Sequence, residues 1–243
     1  FANILQHDVF PLARILQLVQ KYGQGEMRRP VEIEFAVNFN PMEKNGTFYL
    51  LQIRPMVDVK ADLDEDLEKI DEKNLLLKSY NSLGHGVMED IQDIIYVKTE
   101  GYSASNNQLI AYDIEKLNRR FLDEGKNYVL VGPGRWGSSD TWLGIPVKWP
   151  NISAARVIVE AGLTNYRIDP SQGTHFFQNL TSFGVGYFTI NAYMNDGVYN
   201  QAALDALPAV EETRFLRWVH FDRPLEVKMD GRKKIGVVAF PHC

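Results

Sequence analysis

Cysteine is nearly missing from this chain: the single thiol is Cys243. Disulfide staples, cysteine nucleophiles and thiolate metal sites are therefore excluded, and nothing argues for an oxidising compartment, so cytoplasm is the default expectation. An excess of one charge is missing as well. A net charge of -5 over 243 residues does not describe a protein that coats nucleic acid or an anionic membrane, and neither is expected as a partner. No apolar run approaches the roughly 20 residues that cross a bilayer, and the opening residues carry no secretory pattern. Internal repeats, low-complexity tracts and a GxSxG elbow are absent from the sequence. The histidines match no zinc spacing.

What is present is an ordinary apolar share, 45%, enough for one large domain or two smaller ones. The chain opens at Phe1 and runs directly into a helical pattern, which suggests a piece of a longer protein. Apolar spacing predicts a helix over 5–22, with Pro11 in the first turn. Residues 31–56 read as two alternating strands around Asn45-Gly46 as the turn, ended by Pro55. Residues 58–74 are dense in charge and form the best boundary. The expected division is 1–60, a charged linker over 61–80, and an α/β domain over 81–243. Within that domain strands are predicted at 93–98, 128–131, 156–160 and 186–191, and helices at 108–124 (stopped by Gly125), 175–183 and 201–207. A closing hairpin is predicted over 225–240, with Asp230-Gly231 in its turn.

Three segments carry chemistry. In the first hairpin Val31, Ile33, Phe35 and Val37 face one way, with Tyr49, Leu51 and Ile53 as their counterparts in the second strand. Glu32, Glu34, Gln52 and Arg54 face the other way. A half-solvated hairpin gives this alternation with no function attached. The functional alternative is that the carboxylates supply hard oxygen ligands for Mg²⁺ and the guanidinium a planar donor for phosphate. The second segment, Gly132-Pro-Gly-Arg-Trp-Gly137, spells GxGxxG after a strand, with Glu160 placed like a ribose-binding acid. The dinucleotide reading fails because Gly144, Pro146 and Pro150 break the helix that should follow. Either Arg135, Ser138 and Ser139 line an anion-binding nest, or the loop is a tight turn with Trp136 in the core. Trp136, Trp142 and Trp149 offer faces for stacking a base, or packing. The third segment is His175, at the start of a predicted helix whose free N–H groups favour negative charge.

The first hairpin resembles the end of the nucleotide-binding, ATP-grasp domain of the phosphoenolpyruvate synthase and pyruvate phosphate dikinase family, in which an acidic-x-Glu strand precedes a Leu-Gln-x-Arg strand. The resemblance implies that Glu32, Glu34 and Gln52 serve Mg²⁺ and that Arg54 contacts the phosphates of ATP. The same family carries a swivelling domain with a phosphorylated histidine. The order VLVGPG, RVIVEAG, histidine, then LEVKMDGRKKIGVV is similar to it, which implies His175 as the phosphoryl carrier. This sequence departs from that motif: Thr174 directly precedes His175, Phe176 follows it, and 187–224 is longer. The expected fold is thus α/β, with the end of an ATP-grasp-like domain followed by a mixed α/β domain of phosphohistidine type. The implied activity is phosphoryl transfer from ATP through a histidine to a pyruvate-like acceptor, in concert with the remaining domains of a parent protein. Two alternatives stand beside it: a non-catalytic nucleotide- or partner-binding module of degenerate phosphohistidine architecture, and an ATP-dependent ligase-like enzyme that shares only the hairpin.

Overall fold

The computed structural model describes residues 10–27, 31–40, 42, 45–55, 66–169, 180 and 184–241. The chain separates into two compact units, 1–58 and 59–243. Among the described residues no helix is long and apolar enough to cross a membrane.

The first unit is a helix and a hairpin. Helix α1, Leu12–Met27, begins just after Pro11 and outruns the predicted end at residue 22 by passing through Gly23 and Gly25. A mid-helix glycine costs about 0.5–1 kcal/mol relative to alanine. Gly23 has a steric reason to be there: a Cβ would stand 2.4 Å from Ile53 Cδ1 and 3.0 Å from Val31 Cγ2 of the hairpin. Strands β1, Val31–Asn40, and β2, Asn45–Pro55, pair antiparallel.

Two details correct the sequence reading. Asn45-Gly46 is not the turn. Asn40 pairs with Asn45 and Phe39 with Gly46, so both lie inside the ladder. The chain reverses between 40 and 45, where the Met42 amide donates to Asn40 Oδ1 at 3.0 Å. The register also shifts between Glu34, opposite Gln52, and Phe35, opposite Leu50, which leaves Leu51 as an extra residue in β2. Beyond that bulge the faces of β2 exchange. Phe48 and Leu50, not Tyr49 and Leu51, oppose Val37 and Phe35, and the Phe35 and Phe48 rings stack at 5.2 Å.

In the second unit four strands form a parallel centre: β6, Asp93–Val97; β7, Tyr128–Gly132; β10, Ala155–Ala161; and β11, Gly186–Ile190. Antiparallel strands flank them. On one side lie β14, Leu216–His220, and the edge strand β13, Ala209–Glu212; on the other lies β4, Asn81–Leu83. Strands sandwiched on both faces must be apolar on both, which is why DIIYV, YVLVG and GYFTI are nearly unbroken hydrophobic runs. Helix α2, Asn107–Asp123, covers one face with Ile110, Ile114, Leu117 and Phe121, a helical stripe packed on Ile95, Tyr128, Leu130 and Ile158. It ends as predicted, with Gly125 at φ +64° and the Lys126 amide donating to Phe121 O at 2.9 Å.

A five-stranded antiparallel sheet covers the other face in the order β12, β3, β16, β15, β5. These strands are β3, Leu75–Ser79; β5, Gly86–Met88; β12, Val198–Tyr199; β15, Glu226–Asp230; and β16, Ile235–Ala239. The layers are helix, mixed sheet, antiparallel sheet. Strand β3 corrects the expected linker over 61–80: all five of its residues are buried. Ahead of it, Asp66 and Asp71 cap two short 3-10 turns, and Leu67 packs with Leu75, Ile235 and Val237 on the outer side of the sheet. In the β15–β16 reversal the left-handed residue is Lys234, at φ +59°, while Asp230 Oδ1 accepts the amides of Arg232 (2.9 Å) and Lys233 (3.2 Å).

Helix α3, Gln201–Asp205, is held on this core by a polar clamp. Tyr96 Oη donates to Asp205 Oδ1 at 2.7 Å and accepts Arg217 Nη1 at 3.0 Å. Arg217 also donates to the carbonyls of Asp205 and Leu207, each at 2.9 Å. Burial, then the Asp205 carboxylate, push the Tyr96 phenol up to about 12 from 10.0. A raised phenol pKa means the folded state keeps a proton that the unfolded state has lost. Stability is therefore complete below pH 10 and falls as pH rises toward about 12, with Tyr96 alone contributing a loss of about 2 kcal/mol at pH 12. Urea midpoints measured between pH 9 and 12 are expected to fall, and to fall less steeply in Tyr96→Phe. An equal slope in that variant would refute the assignment.

Candidate functional site

The register of the first hairpin decides whether its four polar residues form one patch. Glu32 stands opposite Arg54 and Glu34 opposite Gln52. Directly opposed residues have Cβ atoms roughly 4.5–5.5 Å apart, and neighbours two along a strand lie roughly 7 Å apart. All four positions therefore share one face and a single small quadrilateral. The bulge at Leu51 falls just after this block, so it does not disturb it. Glu34 and Gln52 are exposed; the side chains of Glu32 and Arg54 lie outside the described part. The bulge adds a residue that the alternation could not reveal: Tyr49, half exposed, joins the polar face opposite Ala36. Two carboxylates, an amide oxygen and a guanidinium within this span suit a hard cation bound to phosphate oxygens. Among the described residues no cluster of three His, Cys, Asp or Glu is placed to hold a metal.

The glycine loop folds as a turn with its tryptophan inside. Strand β7 leads not into a helix but into β8, Arg135–Trp136, which pairs in parallel with β9, Gly144–Ile145. Three successive amides are used internally: Arg135 to Leu143 O (3.0 Å), Trp136 to Glu160 Oε1 (3.1 Å) and Gly137 to Ile145 O (2.9 Å). Those donors are not left for an anion. Arg135 Nε donates to Asp169 O at 2.8 Å, Ser138 Oγ donates to Asp140 O at 2.8 Å, and Ser139 is exposed. Trp136 is 1% exposed and its Nε1 donates to Val159 O at 2.9 Å. Glu160, which sat where a ribose-binding acid belongs, is buried and serves as the acceptor for the Trp136 amide. Trp142, by contrast, is exposed at the loop tip, with Tyr166 Oη donating to its carbonyl at 2.6 Å.

His175 and the helix predicted over 175–183 lie outside the described residues, apart from Leu180, which is buried on the α2 side of the sheet. The segment joins β10 to β11, adjacent parallel strands at the centre of the fold. At the carboxyl end of β6, where open parallel sheets tend to bind ligands, lies a cavity of about 150 Å³ lined by Lys98, Tyr102, Ser103, Asn106, Arg214 and Phe215. That is smaller than the roughly 300–1,000 Å³ typical of small-molecule sites. Comparison of the chain with protein-family models, with curated proteins and with solved structures gives no match.

Proposed function

We propose that this chain is part of an ATP-dependent phosphotransferase resembling phosphoenolpyruvate synthase and pyruvate phosphate dikinase, which passes a phosphoryl group through a histidine to a small acceptor such as pyruvate. The observation that carries this reading is the in-register opposition of Glu32 with Arg54 and Glu34 with Gln52 on one hairpin face. In it, Glu32, Glu34 and Gln52 hold Mg²⁺ and Arg54 steadies the ATP phosphates, in a site completed by other parts of the parent protein. Mg²⁺, when bound, neutralises phosphate charge, and catalysis of this class rests on such neutralisation and on positioning. His175 is the carrier. The order of β7, β10 and β11, with His175 between the last two in sequence, supports placing a phosphohistidine-type domain here.

Incubating the full-length protein with γ- or β-labelled ATP is expected to leave an acid-labile, base-stable label that His175→Ala removes. Label that persists in that variant overturns the assignment of His175. ATP binding with no label transfers the chain to the other reading, a non-catalytic nucleotide- or partner-binding module.

A further inference from the structure

His220 belongs to no motif in the sequence, yet the fold gives it a buried partner. It closes β14 opposite Asp93, the first residue of β6. Asp93 is 2% exposed, and its Oδ1 lies 2.7 Å from Trp218 Nε1 and 2.8 Å from His220 Nδ1. The indole can only donate, so this oxygen is an acceptor and Nδ1 carries the hydrogen facing it. The other ring nitrogen, Nε2, is left with its lone pair on a side chain 39% exposed. His85 is arranged the opposite way: its Nδ1 accepts the Gly231 amide at 3.2 Å, so its neutral ring carries hydrogen on Nε2. Nucleophile or base, oriented by a carboxylate behind the ring, is the arrangement on which imidazole catalysis is built.

We propose that His220 Nε2 is a nucleophile that accepts a phosphoryl group, with Asp93 as its positioning residue. The choice of phosphoryl rests on the proposed function; the reactivity of the ring does not. In the step, the Nε2 lone pair forms a bond to phosphorus while the phosphorus–nitrogen bond of phosphoramidate breaks, releasing ammonia. Nδ1 keeps its hydrogen, the ring becomes cationic, and the Asp93 carboxylate stabilises that charge at closest range. The cavity described above lies at the opposite end of β6, beside Val97, whereas His220 is level with Asp93. An imidazole presented on a rigid strand away from that cavity suits a carrier that visits another site better than a base serving a substrate held in its own. Two cations stand nearby, each held by a carboxylate: the Arg120 guanidinium lies 5.1 Å from the Trp218 ring centroid and pairs with Glu211, and Lys126 pairs with Glu124.

The test treats the full chain with phosphoramidate, a small phosphoryl donor that needs no ATP site, and follows each histidine by mass spectrometry over time. His220 is expected to be phosphorylated on Nε2 at least about tenfold faster than His85. Asp93→Asn keeps an acceptor oxygen but removes the charge, and is expected to lower the His220 rate roughly tenfold, the difference between a charged and a neutral hydrogen-bond partner. His85 in the same molecule should not change, which separates a lost positioning charge from general loosening. If Asp93→Asn does not fold, the wild-type comparison of His220 with His85 decides alone. Equal or slower modification of His220 overturns the proposal. A parallel incubation with labelled ATP separates the two readings. Label from ATP on His175 with His220 inert to phosphoramidate refutes this inference and keeps the proposed function. Preferential phosphoramidate labelling of His220 with no label from ATP supports the nucleophile and counts against the phosphotransferase.

Discussion

Trp136→Ala is expected to destabilise the second unit by about 3–5 kcal/mol, measured as a fall in urea midpoint with little change in slope. Three losses add up in this variant. The side chain is 1% exposed, so removing it opens a cavity in the core on the α2 side of the sheet. The ring lies tight beneath Gly132, where even a Cβ would stand 2.4 Å from Trp136 Cζ2, so the surrounding backbone is shaped to this indole. The Nε1 donor to Val159 O is lost with it. Trp142→Ala is the control: the same residue type, six positions along the same loop, but exposed, and expected to change stability by no more than about 0.5 kcal/mol. Equal costs for the two variants would refute the core assignment of Trp136.

Arg54→Ala is expected to reduce ATP-dependent phosphoryl labelling of the full-length protein by roughly 10²–10³-fold, the range seen when one fixed donor to a developing oxyanion is removed. Arg54→Lys should recover little of it, because an ammonium is a point charge and cannot reproduce a planar two-pronged contact. The mirror variant, Thr47→Ala, lies on the same strand and face but opposite Asn38, outside the proposed quadrilateral, and should leave labelling unchanged. Full labelling in Arg54→Ala would remove the hairpin from the phosphate site.

The parts of the fold that were legible in the sequence are those whose cause is local. The strands at 93–97, 128–132, 155–161 and 186–190 announce themselves because burial on two faces demands apolar runs, and α2 because a one-sided stripe and a following glycine suffice to define it. Strand β3 was hidden because LLLKS follows directly on an acidic stretch, and averaged composition masks five buried residues. Strands β8 and β9, two residues each, have no period to detect. The Asn45-Gly46 signal was real chemistry in the wrong place, since Asn40 caps the reversal through its own side chain.

In the candidate site, the shared face of Glu32, Glu34, Gln52 and Arg54 followed from alternation alone, because the bulge begins just beyond them. Tyr49 was assigned to the wrong face for the same reason: alternation cannot reveal a bulge. The Asp93–His220 pair joins residues from distant parts of the sequence through a strand register that no local pattern encodes.

The pairing of β3 with β16 sets Ser79 against Gly236 and Leu77 against Val238. The strand that opens the antiparallel sheet therefore finds its partner only near the far end of the same unit. Closing so long a loop is paid in chain entropy before any contact rewards it, and topologies dominated by distant pairings fold slowly. During synthesis, β3 must wait for residues 235–239 to leave the ribosome, its two faces uncovered in the meantime. Its hydrophobic run ends in Lys78, a charge that is buried in the finished sheet with Nζ on Glu68 O, but that, until then, keeps the waiting strand from being wholly apolar.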